Sequence, residues 1–392
     1  MRVLISGAGI AGPTLAYWLH RLGHQPTLVE LAPEPRRGGY AVDFWGAGFD
    51  VAERMGIVPQ LRRSGYRFHE VRAVDRHGGR IASFAPSMFV GTGDRYVTIA
   101  RSDLAAAISG ALAGEVETVF DDTVEAIDDD GDRANVTFRS GARQEFDLVV
   151  GADGLHSRVR SLAFGPQESF EDHLGIVVAA FEVEGYRPRD ELVALMHADV
   201  GFQLLRLSLR DDLTMFCITL RDRGDVRLDS PGEQQALLRR KLAHGGWEAQ
   251  AILDAMAHAR TFYFDRASQI RMPCWSTGRV ALVGDAAACP SLLAGQGSAL
   301  AMIGAYVLAA ELTATPDDHA AAFARYHARL APLLRSKQDA AKGLGLAFAP
   351  RNRRQLAIRN TVFRLLGLPR IPTLVMGRSL RDAVELPAMP VG

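Results

Sequence analysis

The sequence predicts an α/β protein, with a doubly wound parallel-sheet domain, an inserted antiparallel β domain and a C-terminal helical region. Three observations carry that prediction. Val3-Leu4-Ile5 runs straight into a glycine-rich turn. Two later apolar runs, Asp147 to Gly154 and Val280 to Asp285, also end in Gly and Asp. Between them, residues 174–221 carry short strand-like runs broken by charged turns such as Arg210-Asp211-Asp212.

Size and charge agree with such an architecture. The chain has 392 residues, enough for two or three domains, with 45 Lys+Arg against 45 Asp+Glu. Hydrophobic residues make up 48% and charged residues 23%, so intrinsic disorder and a dedicated nucleic-acid binder are both excluded classes. The three cysteines, Cys217, Cys274 and Cys289, are too few and too widely spaced for a disulfide framework or a zinc knuckle. A reducing, cytoplasmic setting is expected, and the N-terminus carries no secretory pattern.

Val3-Leu4-Ile5 reads as a strand covered on both faces, as parallel sheets are. Ala11, Leu15, Trp18 and Leu22 then recur at helical spacing, Gly23 supplies a stop, and Thr27-Leu28-Val29 is the second strand. That order is a βαβ unit. A hairpin from Val71 to Phe84, turning at His77-Gly78-Gly79, is expected to join one of the sheets within residues 71–95. Strand-like runs Ile176 to Phe181, Phe202 to Leu209 and Leu213 to Leu220 predict the antiparallel insertion. Ser298 to Leu312 is apolar but shorter than the ~20 residues that cross a bilayer, so it reads as a buried helix. From Asp317 the pattern is helical to Phe348, and Pro350 interrupts it. These elements give a first dinucleotide-binding part at 1–170, an inserted domain at 171–277, a return segment at 278–330 and C-terminal helices at 331–392. The last of these holds 11 Lys+Arg against 3 Asp+Glu and is expected to dock on the acidic remainder.

Gly7-Ala8-Gly9-Ile10-Ala11-Gly12 is a dinucleotide fingerprint in its required setting, after a strand and opening a helix. Gly7 permits the tight turn, Gly9 lets the backbone approach a pyrophosphate, and Gly12 allows close helix-strand packing. Glu30, at the end of the second strand, is placed to accept hydrogen bonds from an adenosine ribose. The fingerprint by itself leaves NAD and FAD open.

The segment Gly284-Asp285-Ala286-Ala287, followed by Gly295-Gln296-Gly297 and an apolar helix, resembles the ribityl-binding motif of group A flavoprotein monooxygenases. This is the para-hydroxybenzoate hydroxylase-like family, which includes aromatic and polyketide hydroxylases and tetracycline-inactivating monooxygenases. Gly151 to Arg160, with Asp153 near its start, is similar to the family's third motif, and Arg101 matches an arginine that reaches the flavin side of the site. The resemblance implies a Rossmann-like FAD-binding domain, Asp285 accepting from a ribityl hydroxyl, and Arg36 or Arg37 near the FAD diphosphate. Asp153 is expected to hold its loop more than to touch ligand. Relatives place a His after Gly-Asp-Ala-Ala and a Pro pair before the Gly-Gln-Gly turn. Here those positions are Ala288, Ser291 and Leu292, so the loop over the reactive flavin face is expected to keep its geometry by another route or to alter the oxygen chemistry.

The implied activity is an NADPH- or NADH-consuming monooxygenase that hydroxylates an aromatic or polyketide-like small molecule with O2 through a flavin hydroperoxide. Two alternatives share the cleft: an FAD-dependent dehydrogenase or oxidase, and a non-catalytic binder of planar ligands. Because the flavin carries the oxidant, no metal cluster or protein nucleophile is expected. Trp45, Phe202, Met215 and Leu292 are candidate walls of a substrate pocket, His173 and His197 read either as bases toward a phenol or, more ordinarily for a lone sheet His, as structural histidines, and Cys289 reads as a small buried hydrophobe. No nucleic-acid or membrane partner is expected.

Overall fold

A computed structural model describes residues 1–35, 40–86, 95–222, 230–367 and 384–389. Arg36 and Arg37 lie outside these described residues.

The first sheet has six strands in the order Ser276–Thr277, Val280–Leu282, Leu148–Gly151, Arg2–Ser6, Gln25–Glu30 and Glu117–Phe120. All neighbours are parallel except the first pair. Arg2–Ser6 sits centrally because the chain leaves it on one side, through the helix Ala11–Arg21 to Gln25–Glu30, and returns later on the other as Leu148–Gly151. Such a reversal opens a crevice at the carboxyl ends of the strands, where ligands bind in doubly wound sheets. Val3, Leu4 and Ile5 are fully buried, as a sheet covered on both faces requires.

The helices Ala11–Arg21 and Gly297–Ala314 pack on each other and share this core. Gly297–Ala314 is long and apolar enough to cross a bilayer, yet 14 of its residues, from Ala299 to Leu312, are buried within the protein. On the same core lies an antiparallel sheet of Val124–Asp129, Ala134–Phe138 and Arg143–Phe146, through Val136, Phe138 and Phe146.

The second large sheet has seven strands in the order Thr261–Ile270, Glu171–Glu184, Leu213–Arg221, Phe202–Ser208, Val193–Asp199, Glu70–Val74 and Arg80–Phe84. The Glu70–Val74 hairpin forms its far edge by pairing in parallel with Val193–Asp199, Ala194 opposite Val71. Side chains alternate between its faces. Phe181, Phe216 and Ile218 point into a core closed by the helices Pro231–Leu242 and Ala249–Ala255, through Leu238 and Ile252. Met215, Cys217 and Thr219 therefore occupy the opposite face. A two-stranded ribbon, Ala41–Trp45 with Tyr96–Ala100, meets that face, where the Ala41 N–H donates to the Met215 Sδ at 3.2 Å.

The helix His319–Phe348 ties the two bodies together, capped by Asp318, whose side chain accepts from the Ala321 N–H. Beyond it, Thr219 donates to the Phe348 carbonyl at 2.8 Å and Arg221 to the Ala349 carbonyl at 2.7 Å. The expected docking of the basic C-terminal region is only partly ionic. Lys342 pairs with Asp172 at 2.7 Å, whereas the buried Arg359 of the helix Arg353–Leu366 donates to neutral acceptors, the Gln203 amide oxygen and the Ala347 carbonyl.

Candidate active site

The glycine-rich turn is built as its sequence demands. Gly7 adopts φ +107°, and a Cβ there would stand 2.6 Å from the Ala152 carbonyl oxygen. At Gly12 a Cβ would approach the Gly7 oxygen to 1.9 Å. Ile10 is the N-cap residue of the helix beginning at Ala11. An atom added at Gly9 would first meet the Arg101 guanidinium, at 3.4 Å. A cation and the unpaired N–H groups of a helix start thus face one spot left clear by glycine, a donor set suited to a pyrophosphate.

Glu30 accepts the Ala8 N–H on Oε2 at 2.8 Å and the Ala32 N–H on Oε1 at 3.0 Å. These two bonds orient the carboxylate at the carboxyl end of its strand, beside the glycine-rich turn.

From the other side of the sheet, Gly284 lies against Ala11, and the Asp285 Oδ1 stands 3.7 Å from where a Cβ would sit on Gly297. Burial pushes the Asp285 carboxyl up, and the nearby Arg101 charge pulls it back. The Arg101 guanidinium thus stands beside the fingerprint at Gly9, and its charge is felt by Asp285 of the Gly-Asp motif. Gln296 caps the helix Gly297–Ala314, after Gly295 in a left-handed conformation.

Asp153 accepts from the Ser157 hydroxyl at 2.5 Å and from the Val159 N–H at 3.0 Å, bonds that hold its own loop. The same segment contributes Arg160, whose part in the site the sequence does not announce. Its fully buried guanidinium donates to the Ala286 carbonyl at 3.1 Å, the Leu155 carbonyl at 2.7 Å and the Gln167 side chain at 3.1 Å. It thereby pins the third motif to the Gly-Asp-Ala-Ala helix. The one available signal was its place three residues after the capping Ser157.

The loop that departs from the family pattern is held by two buried amides. Gln338 donates to the Cys289 carbonyl at 3.1 Å and the Ile270 carbonyl at 2.7 Å; Gln269 donates to the Pro290 carbonyl at 3.1 Å and to the backbone of Gln338 at 2.6 Å. Ser291, buried at 2% exposure, follows at φ +93° and ψ 147°, a region that side-chain-bearing residues avoid at a cost of about 1–3 kcal/mol. Beside Ala288 there is a cavity of about 90 Å³, lined also by Met272, Trp275 and His327. Burial and the neighbouring Asp285 push the Cys289 thiol well up, away from the thiolate that a covalent flavin link would need.

The candidate pocket residues separate. Met215 is on the sheet face turned toward the ribbon, buried among Phe68, Ala194 and Leu207. Leu292 is half-buried in the turn after Ser291. Trp45 is half-buried, its ring 6.4 Å from Tyr96. Phe202 is placed elsewhere: it packs in the helix-covered core with Leu204 and Phe216, because residue alternation turns it to the far face. Both His197 nitrogens meet backbone carbonyl oxygens, of Val74 and Gly245, which is a structural role. His173 accepts the Gly175 N–H at 3.3 Å. Among the described residues no cluster of His, Cys, Asp and Glu is arranged to hold a metal ion.

Residues 1–335 match the family described as FAD binding domain. A flavin-dependent monooxygenase from an unknown prokaryotic organism is 35% identical over 393 residues, covering 98% of each chain. Another, from Legionella longbeachae serogroup 1 (strain NSW150), is 34% identical over 349 residues and covers 88% of each. The crystal structure of tetracycline destructase Tet(55) superposes with a TM-score of 0.84 at 31% identity, over 99% of this chain and 98% of that one. Likeness of this extent, on top of a cleft whose donors suit FAD, means that the chain belongs to the FAD-dependent monooxygenases of the group A, para-hydroxybenzoate hydroxylase-like family.

Proposed function

We propose that the protein is a single-component, NADPH- or NADH-consuming monooxygenase acting on an aromatic or polyketide-like small molecule. The observation that carries this reading is the Arg101 guanidinium beside the spot that Gly9 leaves clear, with its charge also felt by Asp285 of the second motif. FAD, when bound, accepts two electrons from the nicotinamide and activates dioxygen. One oxygen atom enters the substrate and the other leaves as water.

The chain's own residues bind, orient and exclude water. Gly9 and Arg101 hold the pyrophosphate, Glu30 the adenosine ribose and Asp285 the ribityl chain. Arg36 or Arg37 adds charge at the diphosphate. Leu292 and Trp45, both half-buried, are the apolar side chains offered to a substrate. The structural likeness to a tetracycline destructase favours a fused-ring, polyphenolic substrate. The free thiols of Cys217, Cys274 and Cys289 suit work in the cytoplasm.

The test is anaerobic mixing of the FAD-loaded protein with NADPH or NADH, with and without tetracycline as a fused-ring probe. Bleaching of the flavin absorption, faster with the probe than without it, is the expected result. Failure of both nucleotides to reduce the flavin under either condition would overturn the reading.

A further inference from the structure

Two phenols stand where the Gly-Asp motif meets the edge of the second sheet. The rings of Tyr40 and Tyr263 lie 5.3 Å apart, centre to centre, tilted by 57°. Tyr40 is anchored to the cofactor domain, since its carbonyl accepts the Arg101 N–H at 3.1 Å. Tyr263 belongs to the edge strand Thr261–Ile270 and points to the same face as Asp265. The pair thus closes the seam between the two bodies.

The path of a bound dinucleotide has two fixed points here, the Gly9–Arg101 cradle for its phosphates and Asp285 for its sugar alcohol. The isoalloxazine follows directly on the ribityl chain. It must therefore lie beyond Asp285, on the side away from Gly9. Tyr40 and Tyr263, whose rings meet each other and one of which bonds through its carbonyl to Arg101, both feel the charges of Asp285 and Arg101. Cys289 is also near Asp285, but it is a buried thiol, 3.7 Å from the Ser268 carbonyl, and presents no ring.

We infer that Tyr40 and Tyr263 line the ring end of the cleft and touch the isoalloxazine of bound FAD. The inference rests on the FAD-dependent reading above and adds two cofactor contacts to it. Both phenols are free to make them. The Tyr40 hydroxyl has no hydrogen-bond partner among the described residues, and the residue as a whole is half-buried. The Tyr263 hydroxyl reaches Asp265 only at 3.4 Å, too long to be a strong bond. Burial pushes both hydroxyls far above their ordinary range, so the cleft receives neutral aromatic rings there.

A phenol in contact with a photoexcited flavin donates an electron to it and quenches its emission, whereas phenylalanine does not. The experiment compares fluorescence intensity and lifetime of FAD-loaded wild type, Tyr40→Phe, Tyr263→Phe and the double variant, with FAD content fixed by absorbance. Trp45 stands five residues along from Tyr40, roughly 16 Å at the rise of a strand, and is common to all four proteins. The expected result is weak emission in the wild type and a several-fold brighter, longer-lived signal in the double variant at equal FAD content. A double variant that stays as dim as the wild type, or a wild type that is already bright, overturns the inference. Wild type that takes up no FAD overturns the cofactor reading itself, and this inference with it.

Discussion

Arg160 shows how much of this site depends on single buried groups. Its guanidinium serves two backbone carbonyls and one side-chain amide with no exposure to water. Arg160→Met keeps the bulk and leaves those carbonyls unpaired, which should cost about 3 kcal/mol, read as a lower midpoint in urea unfolding. An unchanged midpoint would mean that the carbonyls find water instead. Gly12→Ala acts on geometry, not polarity. The Cβ would collide with the Gly7 oxygen, so the turn must open and FAD affinity should fall at least about tenfold, near 1.4 kcal/mol, in a flavin titration. At Glu70 the effect is electrostatic: bonding to the Arg72 guanidinium, and then to Ser83, holds its carboxyl down at about 2 from an ordinary 4.5. A depressed carboxyl adds stability above its unfolded pKa and loses it as pH falls toward the folded one. Glu70→Gln should therefore lower stability at pH 7 by about 1 kcal/mol or less, and the difference should vanish as pH approaches 2. A difference that persists at the acid end would assign the loss to packing. At this scale Gly7, Gly9, Gly12 and Glu30 were legible because a local turn needs them in order. The Tyr40–Tyr263 pair and the reach of Arg160 to Ala286 were not, because each joins residues far apart in sequence.

Among elements, the loop from Cys289 to Gly297 has exchanged one kind of rigidity for another. With Ser291 and Leu292 where relatives place a Pro pair, its backbone is fixed by donors from Gln338 on a helix and Gln269 on a strand. Gln338→Leu removes the Cys289 bond and should weaken FAD binding and divert a larger share of the consumed nicotinamide into hydrogen peroxide. Peroxide release equal to that of the wild type would show that Ser291 and Gly295 hold the loop unaided. The strands of the insertion were legible because β-branched and aromatic residues recur in short runs bounded by charged turns such as Arg210-Asp211-Asp212. The sheet of Val124–Asp129, Ala134–Phe138 and Arg143–Phe146 was not read from the sequence, since two of its strands expose mostly charged and polar residues and so lack an alternating signal. Phe202 was misplaced for a related reason. A sheet buried on both faces is apolar on both, and only register tells which face a residue serves.

Over the whole molecule, the decisive contacts join parts of the chain that no local pattern connects. The Glu70–Val74 hairpin edge pairs with Val193–Asp199, and Arg101 and Arg160 draw three remote motifs into one cleft. Spacing and resemblance told which segments take part; the parallel register and the convergence of side chains belong to the fold. The central claim is that this cleft directs one atom of dioxygen into a bound ring compound. It is tested most directly by turnover under heavy-isotope dioxygen, with NADPH or NADH and a panel of fused-ring polyphenols including tetracycline, followed by mass spectrometry. The expected product carries a single heavy oxygen atom and forms only when reduced nicotinamide is present. Heavy oxygen recovered solely in hydrogen peroxide, with every member of the panel unchanged in mass, would contradict it.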